Sequence, residues 1–302
     1  MTEMTILQQK LANFSGCHLE YNEPMSKHTS FRIGGNVEVF AMPKNRQELS
    51  AILRAASAFG VKPVILGAGT NVLAPDSGMG GIVICLKDCL DGMELMDETS
   101  IRVMSGVTMT RAAVFAANHG LSGMEFAHGI PGTVGGGVYM NAGAYGGEIK
   151  DIVEQVEVME YNGNASILIN EDLGFSYRHS ILEERDLIVI STVFRLQKGD
   201  CNAIKETMRQ LQTKRSASQP LDLPSAGSAF KRPATGYAAA LIDQSGLKGY
   251  RVGGAAISTK HAGFAVNLGG ATASDVQMLL RQVAQIVYDK HGILLEPEVR
   301  IW

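Results

Sequence analysis

The sequence predicts an α+β protein of three units, and three observations carry that expectation. Helix-period apolar stripes alternate with short apolar runs of strand length through the first third of the chain. From Val156 onward strand-like runs follow one another before a helical close, which is an α+β order rather than a strictly alternating one. A proline- and serine-bearing segment at residues 216–233 then precedes a last helical unit. Boundaries are expected at 1–84, 85–198 and 199–302, each block being long enough for a core of its own.

Taken in order, residues 45–59 place Leu49, Ile52, Leu53, Ala56 and Phe59 on one stripe, with Asn45 and Glu48 spaced as a cap pair and Gly60 as the stop. Val64-Ile65-Leu66 reads as a short buried strand running into Gly67-Ala68-Gly69-Thr70-Asn71, and residues 82–86 as another strand. A helix is expected over 109–119, stopped by Gly120, after which residues 123–147 are glycine-rich and show no periodicity. Val156 with Val158, then 187–190, then 193–196 predict strands, and Ile204, Met208 and Leu211 mark a helix ending in Lys214-Arg215. Three prolines make residues 216–233 an expected irregular loop, and so long a loop in a compact protein is usually functional. Further helices are expected at 237–245 and 274–290, the latter with Val276, Leu279, Leu280, Val283, Ile286 and Val287 on one face. In the last ten residues alternation puts Glu298 and Arg300 on the same side of a strand.

Composition excludes several classes. With 45% hydrophobic and 19% charged residues the chain has the balance of a globular protein, not of a disordered one. A net charge of -3 lacks the basic footprint of a nucleic-acid binder, so small molecules are the expected partners, and no obligate protein partner is indicated. No apolar run approaches the roughly 20 residues of a membrane helix, and the start lacks a signal pattern; a soluble, cytoplasmic protein is expected. Cys17, Cys85, Cys89 and Cys201 show no metal-ligand spacing and read as reduced thiols, with no metal site.

The glycines gather in two segments. The first, Gly67-Ala68-Gly69-Thr70-Asn71-Val72, follows a strand, where bare main-chain N–H groups can approach an anion; an ordinary tight turn is the alternative. It is not a dinucleotide fingerprint, because the third glycine of that motif would fall at Val72 and no phosphate-loop lysine follows. The second, Gly129-Ile130-Pro131-Gly132-Thr133-Val134-Gly135-Gly136-Gly137 with Asn141-Ala142-Gly143-Ala144-Tyr145-Gly146-Gly147, carries an entropic cost best understood if backbone lies against a flat or extended ligand; surface turns are the alternative.

Those two segments, with Thr29-Ser30-Phe31-Arg32-Ile33-Gly34-Gly35 before them, resemble the FAD-binding half of the MurB family, the UDP-N-acetylenolpyruvoylglucosamine reductases. The resemblance implies an FAD-binding fold of the vanillyl-alcohol-oxidase (PCMH) type in two subdomains, followed by a C-terminal α+β substrate-binding domain. It implies dissociable FAD as cofactor, since no histidine stands in the first glycine loop, and NADPH as co-substrate. Gly67, Gly69, Thr70 and Asn71 would meet the pyrophosphate of the cofactor, with Arg32, Ala68 and Val72 as further cofactor-binding residues. Gly132, Thr133, Gly136 and Gly143 would line the flavin or its ribityl chain, and Arg215 and Arg300 would be cations beside the ring. Gly137 stands where many relatives have alanine, and no inserted tyrosine-bearing loop lies between Gly147 and Tyr177, so the chain resembles the shorter (type II) branch.

The implied reaction is reduction of UDP-N-acetylglucosamine enolpyruvate to UDP-N-acetylmuramate, a step of peptidoglycan precursor synthesis. Hydride arriving at the β carbon drives negative charge into the carboxylate, which demands a cation or hydrogen-bond donors where that charge develops. The α carbon must then be protonated by a positioned acid. Arg178, in Ser176-Tyr177-Arg178-His179-Ser180, matches the family's carboxylate-binding arginine, with Tyr177 beside it as a substrate contact. Ser228, in Gly227-Ser228-Ala229-Phe230-Lys231, matches the proton-donating serine, and Glu298, in Glu298-Val299-Arg300, the glutamate of its acid network. Lys231 and Arg232 would hold the substrate's diphosphate or carboxylate, or are solvated charges. Two rivals remain at this stage: another FAD-dependent sugar or alcohol oxidase or dehydrogenase of the same fold, and a flavin-binding protein without catalysis.

Overall fold

The computed structural model describes residues 4–302, and the expected helices form where their caps signal them. Asn45 accepts from the Glu48 N–H at 2.9 Å to start Arg46–Ala58, and Thr108 accepts from the Arg111 N–H at 3.3 Å to start Met109–Asn118. Thr272 and Asp275 form a reciprocal capping box at the head of Ala273–His291, which Gly292 ends in the left-handed conformation. Cys201–Ser218 and Ala238–Gln244 are the other two expected helices.

The chain divides into two units. One comprises the chain up to Tyr21, Glu38–Ala68 and Gly81–Lys214, and it holds two cores. In the first, Leu49, Ile52, Leu53 and Ala56 of Arg46–Ala58 are buried against Val39, Ala41, Ile82 and Ile84 of a four-stranded sheet in which Val64–Leu66 pairs in parallel with Met79–Cys85. Each of the leucine, isoleucine and valine side chains contributes about 1.5–3 kcal/mol on burial. The second core lies on a five-stranded antiparallel sheet in the order Ala165–Ile169, Val153–Glu160, Leu187–Arg195, Ser100–Met104, Met93–Leu95. Met109, Ala112, Ala113 and Ala116 of Met109–Asn118 pack there with Val103, Val156 and Phe194.

The other unit comprises Asn22–Val37, Gly69–Gly80 and Arg215–Trp302. Its antiparallel sheet runs Ser225–Ser228, Phe264–Asn267, Ala255–Ile257, Arg251–Val252, and Ala238–Gln244 and Ala273–His291 contribute to its core. Phe31, Ile33 and Leu73 are buried in that same core with Leu295 and Val299. Residues 22–37 and 69–80 therefore depart from the contiguous 1–84, 85–198 and 199–302 division, because apolar side chains distant in sequence complete the C-terminal core.

Four local expectations are corrected. The runs 187–190 and 193–196 are one strand, Leu187–Arg195, since Ser191 and Thr192 between them are buried and Ser191 donates to Glu157 Oε2 at 3.1 Å. The glycine-rich stretch contains a short helix, Val134–Tyr139. Residues 216–233 are not irregular throughout: Ser225–Ser228 is a strand. The C-terminus is not one strand, because the chain changes partner at Val299, from residues 229–231 to Asn71 and the strand Val72–Leu73.

Candidate active site

Within the first unit the two glycine segments meet. Thr133 caps Val134–Tyr139, its hydroxyl accepting from the Gly136 N–H at 3.4 Å, and a Cβ placed on Gly67 would stand 2.6 Å from the same Thr133 oxygen. The segment is zipped onto residues 105–109: the Met109 N–H donates to Gly132 O at 3.0 Å, Val134 N–H to Val107 O at 2.8 Å and Gly135 N–H to Ser105 O at 2.9 Å. The glycine triple then resolves into two roles. A Cβ on Gly135 would lie 2.9 Å from Ser105 Cβ and one on Gly137 2.8 Å from Met109 Sδ, so both serve close packing within the protein. On Gly136 it would meet only Thr133 Oγ1, at 3.6 Å, leaving that side bare.

Arg178 occupies a tight reversal in which Ser176 and His179 exchange main-chain hydrogen bonds at 3.1 and 3.3 Å. Its φ of +56° is left-handed, a region an L side chain avoids unless its surroundings hold it there. The guanidinium donates to Gly143 O at 3.4 Å and lies 5.0 Å from the Tyr177 ring centroid, while the Tyr177 side chain is exposed. Gly143, Tyr177 and Arg178 are thus brought together.

In the second unit the register between Ser225–Ser228 and Phe264–Asn267 slips between Ser225↔Val266 and Ser228↔Phe264. Gly227 sits in that bulge at φ +76° with nothing within 4 Å of an added Cβ, so backbone conformation and not crowding requires glycine there. Bulges re-aim the next side chain, and Ser228 emerges exposed. The C-terminal segment runs antiparallel beside it: Glu298 N–H donates to Ala229 O at 3.0 Å, and Lys231 N–H to Glu296 O at 2.8 Å. Glu298 thus pairs through its main chain with Ala229, the residue after Ser228. Past the switch Arg300 N–H donates to Asn71 O at 3.0 Å, and the Asn71 amide donates to Glu298 O at 3.2 Å.

The other expected residues divide. Gly69, at φ +62°, lies so near His28 that a Cβ would fall 2.0 Å from its carbonyl oxygen. Thr70 follows it in the loop, and Val72 pairs in parallel with Arg300. Arg32 is exposed at φ +56°. Arg215 is buried, its Nη1 donating to Gln219 Oε1 at 3.3 Å. Lys231 faces Glu296 at 3.4 Å, and Arg232 stacks 4.2 Å from the Tyr237 centroid, so each cation already has a protein neighbour. Two residues were missed in the sequence. Ser30 donates to Ser225 O at 2.6 Å and stands 3.3 Å from Gly69 O, tying the glycine loop to the strand that carries Ser228. Asn141, buried at φ +42°, binds the turn of Arg178; the only signal was that asparagine tolerates this conformation.

FAD suits this donor set. Among the described residues the main-chain N–H groups of Gly67, Ala68 and Gly69 meet no acceptor, as a diphosphate cradle requires. The bare side of Gly136 leaves room for a flat group.

Comparison with known proteins joins these segments in one family. Residues 37–167 match the family described as FAD binding domain, and residues 219–302 the one described as UDP-N-acetylenolpyruvoylglucosamine reductase, C-terminal domain. The UDP-N-acetylenolpyruvoylglucosamine reductase of Caldanaerobacter subterraneus subsp. tengcongensis is 45% identical over 283 residues, 94% of this chain and 93% of that one. The crystal structure of UDP-N-acetylenolpyruvylglucosamine reductase (MurB) from Thermus caldophilus is 34% identical and superposes with a TM-score of 0.78, covering 95% of this chain and 98% of that chain. An alkyldihydroxyacetonephosphate synthase, 15% identical, shares the fold alone, with a TM-score of 0.50 over 65% of this chain and 41% of that one. The FAD-binding α+β fold and the 45% identity over 94% of the chain agree, and the chain belongs to the family of UDP-N-acetylenolpyruvoylglucosamine reductases, FAD-dependent oxidoreductases.

Proposed function

We propose that the chain reduces the enolpyruvyl ether of UDP-N-acetylglucosamine to UDP-N-acetylmuramate in the cytoplasm, with NADPH as hydride donor and Arg178, Ser228 and Glu298 as catalytic residues. Non-covalently bound FAD supplies the relay of hydride from NADPH to the β carbon of the substrate. Gly67, Ala68 and Gly69 offer main-chain donors to its diphosphate. Arg178 binds the substrate carboxylate and offsets the charge that grows there as the β carbon is reduced; a planar guanidinium suits a carboxylate by its paired donors. Ser228 Oγ gives its proton to the α carbon, and Glu298 sustains that hydroxyl in the acid network. Tyr177 and Arg178 contact the sugar-borne enolpyruvyl group, and Lys231 and Arg232 the anionic remainder.

The observation that supports this reading is the main-chain bond from Glu298 N–H to Ala229 O, which joins the segment of the glutamate to the residue that follows the serine presented by the Gly227 bulge. Replacing Ser228 by Ala tests it in stopped flow. Flavin reduction by NADPH should proceed, while reoxidation by the enolpyruvyl substrate should slow by about 10²–10⁴, the range for losing a positioned proton donor. Equal slowing of both halves would make Ser228 structural and refute the assignment.

A further inference from the structure

We propose that Asn141 is a positioning residue that holds Arg178 in its substrate-binding conformation, an inference that rests on the reading of Arg178 as the carboxylate-binding group. Asn141 is fully buried and has every polar group of its side chain engaged. Nδ2 donates to Ser176 O at 2.9 Å and to Glu148 Oε2 at 2.9 Å, and Oδ1 accepts from the Lys150 N–H at 2.9 Å. Two acceptors and one donor around one amide admit a single orientation of that amide.

The two groups gripped by Nδ2 each belong to a segment that bears on Arg178. Ser176 O closes the reversal by accepting from His179 N–H, so its position sets the backbone at Tyr177 and Arg178. Glu148 pairs with Gly143 across a small hairpin, and Gly143 O is the acceptor of the Arg178 guanidinium. One amide therefore ties the base of the arginine's turn to the strand opposite the carbonyl that receives its head. Arg178 at φ +56° is disfavoured on its own, and without that tie the reversal can relax toward an ordinary φ and carry the guanidinium away from Gly143. Asn141 is itself left-handed at φ +42°, so Gly or Asp can replace it with little change of backbone.

The test uses the FAD-loaded enzyme with Asn141→Gly and Asn141→Asp, the second being isosteric and keeping the acceptor for Lys150. Three quantities are read: the calorimetric Kd for UDP-N-acetylenolpyruvoylglucosamine on the oxidised enzyme, flavin reduction by NADPH, and reoxidation by that substrate. Both variants should keep wild-type flavin reduction while Kd weakens and reoxidation slows roughly ten- to hundredfold, as for a displaced catalytic group. In an Arg178→Ala background the same Asn141 change should add nothing further, because neighbours acting through one group are not additive. Wild-type binding, equal loss in both halves, loss of folding or FAD in both variants, or full additivity with Arg178→Ala would each overturn the proposal. Undiminished substrate binding in Arg178→Ala alone would instead refute the reading of Arg178 on which it rests.

Discussion

At the scale of single residues, most non-glycine positions with left-handed backbone among the described residues fall in the motif-bearing segments, Asn22 and Asp88 being the exceptions. Arg32, Asn141, Tyr145 and Arg178 all have positive φ, and all lie in the segments whose motifs point to FAD or substrate. Gly227 belongs with them: its φ of +76° sits in open space, so Ala there meets no clash and acts only through the backbone. Gly227→Ala should cost on the order of 1 kcal/mol of stability and turn Ser228 away, slowing flavin reoxidation by substrate more than flavin reduction by NADPH. Matched half-reaction rates with a lowered melting temperature would show the bulge to be structural only. Arg178, Ser228 and Glu298 stand out in the sequence as candidates because their neighbours form motifs. Asn141 and Ser30 do not, since a buried amide and a hydroxyl acquire meaning only from partners 35 and 195 residues away.

Among the elements, helix and strand boundaries follow local chemistry where caps and stripes are strong. Ala273–His291 shows why: Thr272 and Asp275 cap it reciprocally, and Asp76 accepts from the Ala273 and Ser274 N–H groups at 2.7 and 3.0 Å. Main-chain N–H groups of Thr272 and Gly254, donated to Asp275 at 3.0 and 3.2 Å, hold its carboxyl below the usual range. A folded pKa below the unfolded one stabilises fully above the unfolded value of about 3.9 and loses that contribution as pH falls through the folded pKa. The melting-temperature gap between wild type and Asp275→Asn should therefore be constant near neutrality and close as the pH drops below about 4. A gap that widens in acid would contradict the capping account. Val134–Tyr139 escaped detection because three glycines depress its intrinsic helix preference, and tertiary bonds to residues 105–107 restore it. The strand Ser225–Ser228 escaped because the prolines at 220, 224 and 233 flank it without entering it.

Over the whole molecule, the sequence revealed an α+β FAD-binding chain through motifs spread over most of its length, but not how its segments share cores. Phe31, Ile33 and Leu73 read locally as parts of an N-terminal block, yet they are buried with Leu295 and Val299. Periodicity reports which face of an element is apolar and is silent about which distant element covers it. Parallel pairing of Val72–Leu73 with Arg300–Ile301 is of that kind: it delivers the last residues of the chain to the glycine loop across more than 220 positions. The scaffold binds FAD and passes electrons from NADPH to an enolpyruvyl sugar nucleotide. The most direct measurement is the visible spectrum of the purified protein under anaerobic conditions, taken before NADPH, after it, and after UDP-N-acetylenolpyruvoylglucosamine. A yellow protein that NADPH bleaches and the enolpyruvyl substrate restores is the expected result; a folded, colourless protein that refuses added FAD, or a bleached flavin that the substrate leaves bleached, would contradict it.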